Sequence, residues 1–284
     1  MKTRLAIFVF ALLLLPLAGF SLSGAQWSSL APAQQADAGS LAGALHTSMV
    51  LLIYVLIVNQ IVKRRTGSAP LDAQRGLYIA LCIASAAMGW LLSYLNIFVA
   101  SWEAPQDNVW IVQLLIYTPA FGLLAPAVLI TSALFGSFPG VIQSLNFAMR
   151  VPVPAAKLLA RSFMALALLG LMGGALWPAE LYWLMWISPL LLLSALQALW
   201  CENTIFSELK SGAWGRFLFA ALSGVIVSNF AAINYQSNAS LSINLPSMLL
   251  VQCGFAVFGL LCLQLADMLA TGTATELNNS AALR

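Results

Sequence analysis

Long apolar runs are the feature that most restricts the fold of this chain. Residues 5–20 read LAIFVFALLLLPLAGF, and residues 163–177 read FMALALLGLMGGALW. Only 7% of the 284 residues are charged, whereas an average soluble domain has about 25%. In hydrocarbon, backbone groups must be hydrogen-bonded internally, which leaves helices or closed barrels, and barrel strands alternate apolar with polar residues. The continuous runs therefore predict an all-α fold, a polytopic membrane helix bundle.

Seven apolar segments are long enough to cross a bilayer as helices, which takes about 20 residues each. We place them near residues 45–62, 77–100, 109–134, 159–177, 180–200, 216–235 and 247–269. Residues 1–25 are a further candidate, with the basic start MKTR, an apolar run and the small residues of SLSGA. That pattern is typical of a cleaved secretory signal peptide and equally of a first transmembrane helix. We expect eight transmembrane helices, or seven if residues 1–25 are cleaved.

The charged residues orient these spans. All 12 lysines and arginines fall in connections or ends on one side of the predicted bundle, and the opposite loops carry only acidic charges. These acidic residues are Asp37, Glu103, Asp107 and Glu180. Because basic residues collect on the cytoplasmic side, both termini are predicted to be cytoplasmic, N-in and C-in. The expected location is the cell (inner) membrane, as a multi-pass protein in contact with membrane lipids.

The chain is expected to form one membrane domain, residues 26–269. It is preceded by the signal-like or helical segment at residues 1–25. The polar residues 270–284 are expected to form a loose cytoplasmic tail.

Two cytoplasmic connections, near residues 139–150 and 201–211, have one apolar face and are expected to lie in the membrane interface. In the second connection this face consists of Ile205, Phe206 and Leu209, and Gly212 follows where a helix C-cap is expected. Its polar residues are the candidates for docking a partner: Glu202, Asn203 and Glu208.

Small residues four apart recur in the third and the seventh predicted span. They are Ser85, Gly89 and Ser93 in one, and Ala220, Gly224 and Ser228 in the other. The span that follows each of them carries Val-Gln and then Phe-Gly-Leu-Leu, at residues 112–113 and 121–124 and at residues 251–252 and 258–261. This similarity indicates a 4+4 parallel repeat, an arrangement that transporters often use. The alternative is chance resemblance in a sequence rich in Leu, Ala and Gly.

Uncharged polar residues in the outer half of the bundle are the main candidates for ligand binding. They are Gln113, Tyr117, Asn229, Tyr235 and Gln252. Together they could line an outward-facing polar pocket. The alternative is that they bond one helix to another, which contributes about 0.6 kcal/mol for each bond.

The fourth span carries Pro119 and Pro126 with Gly122 between them. Each proline lacks a backbone donor and leaves a carbonyl of the preceding turn without its usual partner. We expect this helix to be kinked, as suits a binding site or a moving part.

Residues for catalysis or metal binding are sparse. The single histidine, His46, excludes a bis-histidine haem site within this chain and any histidine-rich metal site. The four cysteines form no CxxC motif and are expected to be small buried hydrophobes: Cys82, Cys201, Cys253 and Cys262. No basic stripe with interleaved aromatic residues points to nucleic acid. We therefore predict no cofactor, no metal, no catalytic residue and no nucleic-acid partner.

Three functions remain open from the sequence. The first is a non-catalytic membrane subunit or assembly factor, which binds other membrane-protein subunits or lipids. The second is a carrier or channel for a neutral or lipophilic solute. The third is an intramembrane enzyme that modifies a lipid or isoprenoid with the carboxylates of the 201–211 connection. Glu202 and Glu208 stand six residues apart, on different faces of a helix, which disfavours the third.

Overall fold

The computed structural model describes most of the chain after residue 40. The described residues are 41–103, 110–140, 152, 155–200, 204–210, 212, 214–239 and 242–282. Side chains at 41–44, 110–113, 208, 237–239 and 271–282 lie outside the description. So do the predictions made for residues 1–25, for most of the 139–150 segment, and for Cys201, Glu202 and Asn203.

The described residues form a nearly all-helical bundle with one short pair of strands. Its elements are α1 (Leu41–Thr66), α2 (Pro70–Ala73), α3 (Arg75–Val99), β1 (Trp102–Glu103), α4 (Trp110–Gly136), α5 (Ala156–Leu176), α6 (Pro178–Leu199), a 3-10 helix (Ser207–Lys210), α7 (Gly215–Ala239), β2 (Ser242–Ile243) and α8 (Met248–Ala282). All the α-helices except α2 are long and apolar enough to cross a membrane, judged by length and composition. These seven helices confirm the seven predicted membrane-type segments. The last of them, α8, extends beyond residue 270 into the predicted tail.

Several helix ends are set by single residues. Gly67 adopts a φ of 81° after α1, and its N–H donates to the carbonyl of Lys63. That left-handed conformation favours glycine because a Cβ would be strained there. Gly212 likewise has a φ of 85°, and its N–H donates to Leu209, as its predicted C-cap position requires. Pro178 opens α6 at its first turn, where the missing N–H would have had no helical partner.

The helices pack in a network of neighbours. Close pairs along the chain are α3 with α4, α5 with α6, and α7 with α8. Contacts between more distant parts of the sequence join α1 with α4 and α7, α4 with α7, and α8 with α3, α4 and α6. The core between α1, α3, α4, α7 and α8 is densely filled by fully buried residues, among them Leu81, Val128, Ile130 and Val227.

Glycines allow the tightest of these contacts. On α7 and α8, Gly224 and Gly259 lie backbone to backbone, and a Cβ at Gly259 would overlap the carbonyl of Ala220. On α3 and α4, Gly89 lies under the ring of Phe121, while a Cβ at Gly122 would come within 3.3 Å of the Cys82 carbonyl. Small residues permit such approaches because dispersion between helices replaces contact with lipid.

A small two-stranded sheet joins the α3–α4 connection to the α7–α8 connection. The antiparallel pair aligns Trp102 with Ile243 and Glu103 with Ser242. The N–H of Asn244 donates to the carbonyl of Ser101 at 2.9 Å, which continues the ladder by one residue. The sheet therefore ties two parts of the chain that are far apart in sequence.

The packing at Gly259 can be tested by one substitution with a matched control on the same helix. Gly259→Ala should lower the free energy of unfolding by about 1–3 kcal/mol, because the new methyl group meets backbone atoms of α7 that cannot rotate away. Gly254→Ala should be neutral or stabilising by up to about 1 kcal/mol, since no atom lies within 4 Å of a Cβ there. Unfolding of the purified protein in detergent or bicelles measures both. Equal effects of the two substitutions would contradict the close α7–α8 contact.

Candidate functional site

The five residues of the predicted outer cluster occupy α4, α7 and α8. Asn229 on α7 and Gln252 on α8 form a reciprocal amide pair, in which each side chain donates one hydrogen bond and accepts one. The Asn229 Nδ2 to Gln252 Oε1 distance is 2.6 Å, and the Gln252 Nε2 to Asn229 Oδ1 distance is 3.1 Å. Asn229 Nδ2 also donates to the carbonyl of Val225 in its own helix. These bonds hold the outer halves of α7 and α8 in one register.

The two tyrosines of the cluster meet at a different interface. The rings of Tyr117 on α4 and Tyr235 on α7 lie 6.2 Å apart between centroids, and Tyr117 also stacks on Phe121. The Tyr235 hydroxyl is buried, and no hydrogen-bond partner is found for it among the described atoms. Gln113 lies in the first turn of α4, where side chains are outside the description. The cluster thus divides into an amide pair between α7 and α8 and a tyrosine pair between α4 and α7.

Two surface depressions do not include these residues. One, of about 240 Å³, lies beside the small sheet and is lined by Val99, Ser101, Pro178, Ala179, Tyr182, Asn244, Leu245 and Pro246. The other, of about 210 Å³, lies on α1 and is lined by Ile57, Gln60, Ile61 and Arg64. A pocket lined by the outer polar cluster remains a prediction from the sequence.

The depression beside the sheet is bordered by a well-bonded polar and aromatic surface. The indoles of Trp102 and Trp186 stack with centroids 4.6 Å apart, and Trp186 Nε1 donates to Ser101 Oγ at 3.0 Å. The side-chain amide of Asn96 both donates to the carbonyl of Trp102 and accepts from its N–H. Asn96 therefore satisfies one edge of β1 as a neighbouring strand would. This surface is built to hold the two connections together.

A second buried amide pair was not predicted from the sequence. Gln264 Nε2 on α8 donates to Gln197 Oε1 on α6, and both side chains are completely buried. The remaining amide atoms, Gln197 Nε2 and Gln264 Oε1, have no partner among the described atoms. A glutamine in the middle of the last apolar span was a visible signal. Its partner stands 67 residues earlier, and nothing in the sequence pairs the two.

A serine hydroxyl from α3 is inserted into the backbone of α4. Ser85 Oγ donates to the carbonyl of Phe121 and accepts the N–H of Ala125 at 3.1 Å. In a regular helix this N–H would donate directly to that carbonyl. The insertion lies between Pro119 and Pro126, and a side chain that enters the helical ladder is a known cause of kinks. The sequence predicted a break in this helix from its prolines, but it did not predict the role of Ser85.

The predicted docking segment lies against the bundle in its described part. Ile205 and Leu209 are buried, and the ring of Phe206 lies between Phe163 on α5 and Phe217 on α7. Glu208 belongs to the short 3-10 helix, but its side chain is outside the description. The apolar side predicted for this segment thus packs on protein.

An ion pair fastens the neighbouring helix ends, since Arg216 of α7 contacts Asp267 of α8. Among the described residues, no group of three or more His, Cys, Asp or Glu side chains is arranged to hold a metal ion. Cys82, Cys253 and Cys262 are free thiols.

Comparison with known protein families, with curated proteins and with solved structures finds no match to this chain. Functional inference therefore depends on the contacts within the molecule.

The two amide pairs allow a quantitative test of their role as bonds between helices. In a double-mutant cycle, Asn229→Ala with Gln252→Ala should give a coupling energy near the average of about 0.6 kcal/mol for polar pairs between membrane helices. The cycle of Gln197→Ala with Gln264→Ala should give a larger value, toward the observed maximum of about 1.7 kcal/mol, because that pair is fully buried. Unfolding free energies in bicelles supply both cycles. Zero coupling in both would contradict a structural role for the amides.

Proposed function

We propose that this chain is a non-catalytic integral membrane subunit or assembly factor that acts by binding other membrane proteins. The observation that carries the proposal is how the bundle uses its polar side chains. Asn229 bonds to Gln252, Gln197 bonds to Gln264, and Tyr54 bonds to Thr131 at 2.8 Å. Each bond joins two different helices. A bundle whose interior polar groups bind each other is suited to hold a fixed shape and to present its outer surface to partners.

The exposed surface suits contact with lipid and with other membrane helices. Large apolar side chains are exposed on several helices, including Ile83 on α3, Leu169 on α5 and Ile226 on α7. In a membrane, such side chains contact acyl chains or the helices of another subunit by the same van der Waals packing. A partner of this protein is therefore expected to be another membrane-embedded protein.

Purification in mild detergent tests the subunit hypothesis. The tagged protein should co-elute in size-exclusion chromatography with one or more other membrane proteins at a constant ratio. Single substitutions Ile83→Trp, Leu169→Trp and Ile226→Trp then locate the contact face. Because these side chains are exposed, the fold should persist in all three, and only the variant on the contact face should lose the partner.

An unrelated multi-pass protein with the same tag is the control for non-specific capture. A monodisperse protein without any partner, which moves a neutral solute into reconstituted vesicles, would contradict the subunit hypothesis and support the carrier described below.

We also propose the orientation N-in and C-in in the cell (inner) membrane. Lys63, Arg64 and Arg65 occupy the last turn of α1, and Arg216 begins α7 with its partner Asp267 nearby. At the other ends of these helices the described connections form the small sheet, whose charged residue is Glu103. This separation supports the positive-inside orientation.

Reporter fusions test this orientation. Alkaline phosphatase fused after Ser240 should be active, because that connection is proposed to be external, and the same enzyme fused after Ser211 should be inactive. A fluorescent protein, which matures only in the cytoplasm, should give the reverse pattern at the same two positions. Activity of the phosphatase at Ser211 would overturn the orientation.

A 4+4 parallel repeat, with residues 1–140 as one half, is a further part of the proposal. If α1, α3 and α4 correspond to α6, α7 and α8, the observed helix contacts correspond as well. The pair α3–α4 matches α7–α8, α1–α4 matches α6–α8, α4–α7 matches α8–α3, and α1–α7 matches α6–α3. Agreement of this kind is expected if the two halves are related by an approximate two-fold axis along the membrane normal.

The small sheet supports the same axis. A two-fold axis between equivalent strands makes them antiparallel, as β1 and β2 are. Glu103 pairs with Ser242, which lies 139 residues later. Gln113 and Gln252, the glutamines of the two Val-Gln motifs, are separated by the same 139 residues. Chance resemblance of the sequence motifs would not produce a matching strand register.

A carrier for a neutral or lipophilic solute is the second candidate function. Transporters often place their substrate site between two such halves. The Ser85 insertion in α4 supplies a broken helix at that interface, since α4 contacts α7 and α8 of the other half. The corresponding helix α8 has no internal proline in its described bounds, so that only one half would move in this way.

A further inference from the structure

One face of α1 carries a long row of exposed apolar side chains. They are Leu45, Met49, Leu52, Ile53, Leu56, Ile57 and Ile61, and each is between 38% and 57% exposed. At 3.6 residues per turn these positions cover about half of the helix circumference. The opposite half is buried against α4 and α7 through residues such as Leu51, Val55 and Val58.

The helix that corresponds to α1 in the proposed repeat has no such face. On α6, Trp183 is the one large apolar side chain among the exposed residues, and all side chains of α6 are described. The difference has a visible cause. Helix α5 covers α6 along its length, with Gly170 and Gly174 against Leu184 and Met185. The counterpart of α5 in the first half would be the apolar segment at residues 5–22.

We propose that residues 5–22 of this chain cover the exposed face of α1 as a retained transmembrane helix, in the way that α5 covers α6. This inference rests on the proposed 4+4 repeat. The segment has 18 apolar or small residues, which nearly span a bilayer at 1.5 Å per residue. It begins after Lys2 and Arg4, so that with cytoplasmic basic residues it would run antiparallel to α1, as α5 runs antiparallel to α6.

The chemistry of the α1 face fits a protein partner of this kind. Gln60 is exposed within the apolar row, one turn before Arg64. An amide on that face can bond across to a neighbouring helix, which lipid chains cannot offer. The depression of about 210 Å³ lined by Ile57, Gln60 and Ile61 lies on the same face and leaves room for side chains of a second helix. The segment carries Ser21 at one end and mostly Leu, Ala and Phe before it.

Cysteine cross-linking in the full-length protein tests the proposal. The four native cysteines are replaced by alanine, and a protease site is inserted after Gln35. Ile53→Cys on α1 is then combined with a cysteine at each of the four leucines 12–15 in turn. The antiparallel arrangement places these leucines at the depth of Ile53. After oxidation in the membrane and cleavage, the N-terminal fragment should stay covalently attached in at least one combination.

Ile83→Cys on α3 is the matched control, since it is also an exposed isoleucine near mid-helix. Attachment through Ile53→Cys should exceed attachment through Ile83→Cys by about five-fold or more, because a disulfide needs Cα atoms within about 7 Å. Attachment no greater than the control would mean that lipid covers the α1 face, and would overturn the proposal. A mature protein that lacks residues 1–25, or a cross-link only between two copies, would overturn it as well.

A second cross-link separates failure of the docking from failure of the repeat and of the carrier hypothesis that depends on it. Glu103→Cys with Ser242→Cys joins β1 to β2 at directly opposite positions, where the Cα separation of about 5.5 Å suits a disulfide. If this bond forms and the Ile53 bond does not, the arrangement of the halves stands and the docking of residues 5–22 is wrong. If neither forms, the two-fold arrangement itself is wrong.

Discussion

The absence of water around polar groups is the constraint on which this structure depends. In an apolar environment, a side-chain amide or hydroxyl must find its partner within the protein, because an unpaired buried polar group is costly. Here such bonds fall between helices that are distant in sequence. Gln197 with Gln264, Asn229 with Gln252 and Tyr54 with Thr131 fasten α6 to α8, α7 to α8 and α1 to α4. A one-turn slip of any of these helices would leave two polar groups without partners.

Small residues complement these bonds by letting the backbones approach. Gly224 and Gly259 bring α7 and α8 into direct contact, whereas Gly122 and Ser85 bring α3 against α4 at the point where that helix is broken. The two equivalent pairs of the proposed repeat therefore differ in one respect. The α7–α8 pair has an uninterrupted contact of glycines, and the α3–α4 pair has an inserted hydroxyl between two prolines. The first suits a rigid half, and the second suits a half in which one helix can bend.

The two candidate functions differ in what they require of this arrangement. A subunit needs a stable shape and an outer surface for partners, and the mutually bonded amides supply the stable shape. A carrier needs two halves that move against each other around a site, and the matching contacts of the halves together with the break in α4 would serve that need. The dense core around Val128 and Val227 favours the subunit, because side chains packed at that density leave little room for a solute.

The seven membrane-type segments could be predicted from the sequence alone, because an apolar run of sufficient length in hydrocarbon can only be a helix. The break in α4 was also predictable, since a proline removes a backbone donor whatever its neighbours are. Which residues meet was not predictable. The outer cluster divided into an amide pair and a tyrosine pair because Asn229 and Tyr235 face different helices, and the pairing of Gln197 with Gln264 depends on how α6 and α8 are rotated. Hydrophobic periodicity determines that a segment is a helix, but in a chain apolar on nearly every face it does not determine the rotation of that helix, and only tertiary packing does.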